Sequence, residues 1–207
     1  MFYEFSHRHS DCTIDEEFRY GEGVIYGQGL EYSGANEKVI LSRDSKGTSL
    51  IQREYAYNGL FAPVSVVKQG ALVKVEDSYF VITMRKTAEG NKSCSMMKTN
   101  CIVELQRFSQ TYDANDNPVS GTHFNQVQVH VIAYAEYVNA SLRQQEIGLL
   151  PTTEYILYLH PSADIKRPQE VLSPDRVIIK GRPYQVDGVD DVKLPNMLYV
   201  QLSEDKR

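Results

Sequence analysis

Tryptophan is absent from the 207 residues, and cysteine is scarce, with only Cys12, Cys94 and Cys101. Without tryptophan a sugar site lacks one of its usual stacking platforms, which weakens a carbohydrate reading. Three cysteines are too few, and odd in number, for a secreted disulfide framework, so reduced thiols in a cytoplasmic setting are expected. No apolar run is long enough for a transmembrane helix. Met1-Phe2-Tyr3-Glu4-Phe5 lacks a basic segment followed by an apolar one, so no signal peptide is expected. Positive charge is not in excess either: 22 Lys and Arg stand against 27 Asp and Glu, a net charge of -5. Such a chain has no general attraction for phosphate backbones.

Catalytic signatures are missing as well. No Gly-x-Ser-x-Gly elbow and no His-Glu-x-x-His occur. The glycine-rich Gly21 to Gly29 stretch is followed by neither a helix pattern nor a P-loop Lys-Ser/Thr, so it reads as a flexible entry or turn. An enzyme is therefore not expected, and no cofactor, metal or small-molecule substrate is called for.

What is present is a pattern of period two, over a chain with ordinary globular proportions of 42% apolar and 24% charged residues. Gln126 to Tyr137 alternates polar and apolar as a long half-buried strand would. Glu154 to Leu159 is a second strand, rich in aromatic and branched residues. Further strands are expected at Lys38–Ser42, Ser49–Tyr55, Val64–Lys68, Leu72–Val75, Tyr79–Thr83, Cys101–Leu105, Val177–Ile179, Tyr184–Val189 and Met197–Leu202. Turn signals separate them, including Asn58-Gly59, Asp77-Ser78, Asp113 to Pro118 and Gly181-Arg182-Pro183. Ala140 to Gly148 is the one helical candidate. Thr87 to Lys98 and Ser203 to Arg207 read as mobile segments, the first a hairpin tip that orders against a neighbour.

The expected fold is all-β, one or two small barrels or sandwiches with long loops and an extended N-terminal arm. An internal echo suggests two. Leu72 to Phe80 and Arg176 to Tyr184 are each a strand, a tight polar turn, an aromatic residue and another strand. Each is followed by a later strand, Ile102–Gln106 in one case and Leu198–Leu202 in the other. On this reading residues 1–20 are an arm, 21–111 a β-domain and 112–207 a β-barrel, with the joint near Tyr112 to Ser120, unless the whole is one interleaved domain.

Each chemical lure has a plain counterpart. His7, His9 and Cys12 suit zinc but match no zinc spacing, and a solvated arm accounts for them. Asp113 to Asn117 places oxygens at alternate positions like a calcium loop, but Pro118 and Phe124 stand where glycine and glutamate are required. Glu54, Glu76, Glu104 and Glu136 could hide a carboxylate pair, and His123, His130 and His160 are the histidines to watch. Solvent-facing or satisfied strand residues are the default for all seven. Many of the 14 tyrosines fall in or beside strands. Most serve sheet packing, but Tyr134, Tyr137, Tyr155 and Tyr158 are candidates for a subunit interface, because strands apolar on both faces need a cover.

The stretch Ser173-Pro174-Asp175-Arg176-Val177-Ile178-Ile179-Lys180-Gly181-Arg182-Pro183-Tyr184-Gln185-Val186-Asp187, with the later Leu198 to Leu202 strand, resembles the closing hairpin of head-tail connector proteins of tailed bacteriophages. These are the neck, stopper or head-completion proteins. Gln145 to Thr153 before a strand is similar to a loop-then-strand element of that group. The resemblance spans roughly residues 125 to 203, and many such proteins are shorter than this chain. It implies a small β-barrel, organised by the hairpin at Gly181 and Tyr184, that forms a homo-oligomeric ring of six or twelve copies. Such a ring sits in the virion neck between portal or adaptor and tail proteins. It is assembled in the host cytoplasm, and it holds packaged DNA, with passing contact to the duplex and none with membrane. The rivals are a tail-completion or terminator protein, a β-sandwich binding module of a baseplate or fibre, and a β-rich hydrolase.

Overall fold

The computed structural model describes residues 18–26, 32–44, 54–88, 90–110, 112–119 and 123–207. The chain is nearly all β. Six strands form a first sheet: β1 (Phe18–Tyr26), β2 (Tyr32–Arg43), β3 (Ala56–Phe61), β4 (Leu72–Val75), β5 (Ser78–Ala88) and β6 (Asn91–Lys98). Six more form a second: β7 (Cys101–Ser109), β8 (His123–Tyr137), β9 (Tyr155–Leu159), β10 (Arg176–Ile179), β11 (Arg182–Asp190) and β12 (Leu198–Glu204). All pairings are antiparallel, and each sheet closes on itself, β1 meeting β4 and β7 meeting β10. The first barrel runs β1-β2-β3-β6-β5-β4 and the second β7-β8-β9-β12-β11-β10. Counted from its own first strand, each has the order 1-2-3-6-5-4. The same topology occurs twice.

This sharpens the internal echo and corrects its end. The β4–β5 and β10–β11 hairpins are topological equivalents. Ile102–Gln106 is not the closing strand of the first unit. It lies in β7, which pairs with β8 and β10 of the second barrel, so the change of barrel falls between Lys98 and Cys101 and not near Tyr112 to Ser120. Its polar pattern hid the true sixth strand. Asn91–Lys98, read as part of a mobile tip, is β6, and it turns only Cys94 and Met96 fully inward. Phe18–Tyr20, assigned to an arm, and Gly21–Tyr26, read as a flexible entry, form β1. Residues 1–17 lie outside the described residues, as do 27–31.

Other departures have local causes. Asn58-Gly59 sits inside β3, and a Cβ on Gly59 would overlap the Met96 sulfur, so this glycine makes room for core packing. Val64 to Lys68 alternates as read, with Ser65 and Val67 buried, yet it joins no ladder and packs Val67 into the first core as a loop. Of Ser49 to Tyr55, residues 49–53 lie outside the described residues, and Glu54-Tyr55 forms a helical turn. The helical candidate is realised as α1 (Ala140–Gln145), capped by Asn139, whose side chain accepts from the Leu142 amide. The tail is tied down: β12 runs to Glu204, and the Arg207 guanidinium donates to the Asp205 carboxylate and the Pro174 carbonyl.

Each barrel has its own core. Val39, Phe61, Val73, Phe80, Ile82 and Met96 lie in the first, and Leu105, Val131, Leu157, Val177, Val186 and Leu202 in the second. A third cluster joins them: Leu72 and Val81 of the first barrel bury against Met197, with Ile132, Tyr158 and Leu194 alongside. Strands apolar on both faces are thus covered by the other barrel of the same chain. β8 pairs with β7 over His123–Ala133 and with β9 over Ala133–Tyr137, so its outer half has one strand neighbour. Register shifts opposite Val103–Gln106, and His130 at φ 56°, kink that edge. Such bulges discourage further strand pairing. Among the described residues no helix is long and apolar enough to cross a membrane.

Candidate functional site

The site begins with the β10–β11 hairpin. Ile179 pairs with Arg182, leaving Lys180-Gly181 as a two-residue loop with φ of 48° and 79°. Two positive φ values match the twist of a hairpin and favour glycine at one position. A Cβ on Gly181 would meet nothing within 4 Å, so the glycine answers to backbone conformation alone. Beyond the turn, Tyr184 is buried and packs edge-on against Tyr155 at 5.3 Å, which meets Tyr137 at 5.5 Å.

Tyr155 and Tyr184 wall a cleft of about 390 Å³, completed by Tyr55, Asn100, Cys101, Ala135, Ile179, Lys180 and Arg182. Asn100 fixes one wall. Its Nδ2 donates to the Ala135 carbonyl and its Oδ1 accepts from the Ala135 amide, both at 2.8 Å, so one side-chain amide continues the ladder where β7 has not yet begun. Tyr55 brings in the first barrel and touches Tyr134 at 5.5 Å.

Burial pushes the Cys101 thiol up to about 11, with Lys180 and a backbone contact opposing. Burial also raises Tyr184, the neighbouring Tyr155 and Glu154 adding to it and Arg182 resisting. Thiol and phenol therefore keep their protons near neutrality, and the cleft carries the charge of Lys180 and Arg182. Neither cation has a carboxylate within ion-pair distance among the described residues. Two open cations beside aromatic faces suit an anionic ligand.

A second aromatic run, Tyr134–Tyr158–Tyr199, has ring centroids 5.8 and 5.5 Å apart. The Tyr158 hydroxyl donates to Glu136, whose carboxyl burial pushes above its usual range. Lys193 ion-pairs with Glu146 and lies 4.2 Å over the Tyr199 ring. Tyr158 with Glu136, and Lys193 with Glu146 and the Tyr199 ring, clamp the α1 segment and the β11–β12 loop onto the second barrel.

The four interface tyrosines thus separate. Tyr134 is 2% exposed, so it has no face to offer a second chain, while Tyr158 is half-buried and packs into the inter-barrel cluster. For Tyr134 that is a correction, and its cause is cover supplied from within the chain. Tyr155 lines the cleft, and Tyr137 is 62% exposed beside it. The carboxylates do not converge: Glu76 is in the first barrel's β4–β5 turn, Glu104 accepts from Gln106, and Glu136 is held by Tyr158. His160 is buried against Ser162, which lowers its basicity, while His123 and His130 are exposed. Asp113 accepts from the Asn115 and Asn117 amides at 2.8 Å each, an Asx turn closing a loop. Among the described residues no group of His, Cys, Asp and Glu gathers to hold a metal. His7, His9 and Cys12 lie outside them.

No protein-family model matches the chain, and no curated protein matches it in sequence. Sequence reasoning named Tyr155, Gly181 and Tyr184 but missed Lys180, Arg182, Asn100 and Tyr55. The first two were visible only as turn residues. The last two enter the cleft through contacts far apart in sequence.

Proposed function

We propose that this chain is a structural subunit of the neck of a tailed-phage virion. It assembles as a homo-oligomeric ring of six or twelve copies between portal or adaptor and tail proteins. It closes the filled capsid and gates DNA exit, without covalent chemistry. The observation that carries the reading is the closing hairpin, and what its motif residues do in the barrel supports it. Asp175 is 2% exposed and accepts from Arg107 Nε and Nη2 at 3.0 Å each and from the Lys166 amide at 2.9 Å. Arg176 donates to Asp205 at 2.6 Å and stacks 3.6 Å over Phe124. The Asp-Arg pair therefore latches the hairpin to β7, β8 and the C-terminal strand, a reason for this short pattern to accompany a small closed barrel.

The test is native mass spectrometry and cryo-EM of the protein with a portal–adaptor complex. A ring docked on the portal is expected. A chain that stays monomeric and never docks overturns the reading. The cleft favours a second reading, a binding module of a baseplate or fibre, in which a monomer takes an anionic ligand between Tyr155, Tyr184, Lys180 and Arg182.

A further inference from the structure

The two barrels share one topology, and their equivalent hairpin tips carry opposite charge. In the β4–β5 turn Val75 pairs with Ser78, leaving Glu76-Asp77 as the loop. In the β10–β11 turn the loop is Lys180-Gly181, followed by Arg182. The two leading residues even share a backbone conformation, Glu76 at φ 52° and Lys180 at φ 48°. Glu76, Asp77, Lys180 and Arg182 are all exposed. No hydrogen bond or ion pair from the Glu76 or Asp77 side chain reaches another described residue, just as Lys180 and Arg182 meet no carboxylate.

The acidic tip lies at the opposite end of β4 from the inter-barrel joint. Leu72, where β4 begins, is fully buried at the inter-barrel cluster, and the strand runs from there outward to Glu76. The basic tip rims a cleft with room for a guest.

We propose that the Glu76-Asp77 tip of one copy docks in the Tyr55–Tyr155–Tyr184–Lys180–Arg182 cleft of the next copy. The contact is heterologous, tip to cleft, so each subunit both gives and receives. Repetition with rotation generates a ring. Opposite charges set register and speed encounter, while the tyrosine walls supply the apolar area. This inference deepens the ring reading and rests on it.

The experiment is a charge exchange between copies, read by sedimentation velocity and native mass spectrometry at low and at high salt. The two variants are Glu76→Lys/Asp77→Lys and Lys180→Glu/Arg182→Glu. Each replaces a positive-φ residue by the one its equivalent turn already holds, so circular dichroism and melting temperature should stay near wild type. Alone, each variant should need about tenfold more protein to assemble, because like charges now meet. Mixed in equal amounts they should assemble again, since each tip finds a cleft of opposite charge. Wild-type assembly should weaken as salt rises. Folded variants that assemble like wild type, or a mixture that stays monomeric, overturn the contact. Rings on a portal complex that persist in both variants leave the neck reading standing while this contact falls. A wild-type chain that is monomeric at every concentration and salt, and that never docks on a portal complex, sinks both.

Discussion

Gly70 and Gly181 both occupy positive φ, at 82° and 79°, yet their side-chain surroundings differ. A Cβ on Gly70 would overlap the Asn196 backbone, where the first barrel meets the β11–β12 loop, whereas one on Gly181 enters open space. Gly181→Ala should cost only the left-handed penalty of about 1–2 kcal/mol. Gly70→Ala adds a backbone clash and should cost clearly more, which urea denaturation of the two variants will rank. The tyrosines divide in the same way. Tyr134→Ala should cost about 3–5 kcal/mol, because it empties a buried site. Tyr137→Ala, at 62% exposure, should stay within about 0.5 kcal/mol in the same measurement.

The C-terminal strand shows how an element is held by charge. Burial alone would push the Asp205 carboxyl up, but hydrogen bonds from Arg207 and Arg176 outweigh it and hold it at about 2. A folded value below the unfolded one, about 3.9, means stability that is fully present above that unfolded value. It is lost as pH falls from about 4 toward 2, and it amounts to at most about 3 kcal/mol. Melting temperature followed across that window should drop less in Asp205→Asn than in wild type. At this scale the sequence was informative wherever alternation was strong. β4 was read at its bounds, and β8, β9, β10, β11 and β12 within a few residues. It misread β6 as a mobile tip, because the inward side chains there are only Cys94 and Met96, and it was misleading at Asn58-Gly59, where a turn signal served core packing. The Ser203–Arg207 tail looked mobile because its anchors, Asp205 excepted, lie far away along the chain.

At the scale of the whole molecule, the described residues form one topology repeated, joined through Leu72, Val81 and Met197. That apolar joint should make the barrels unfold together. Met197→Asp places a charge at a site 1% exposed and should split a single calorimetric transition into two. One unchanged transition would show that the joint does not couple them. The sequence by itself determined the all-β class, the hairpin at Gly181 and the echo between Leu72–Phe80 and Arg176–Tyr184, because period-two burial and turn geometry are local constraints. Only the tertiary structure decided where one barrel ends, that Tyr134 is covered from within, and that Tyr55, Asn100, Lys180 and Arg182 share a cleft. Barrel closure and junction packing join residues distant in the chain, and no local pattern records which of several apolar faces will meet.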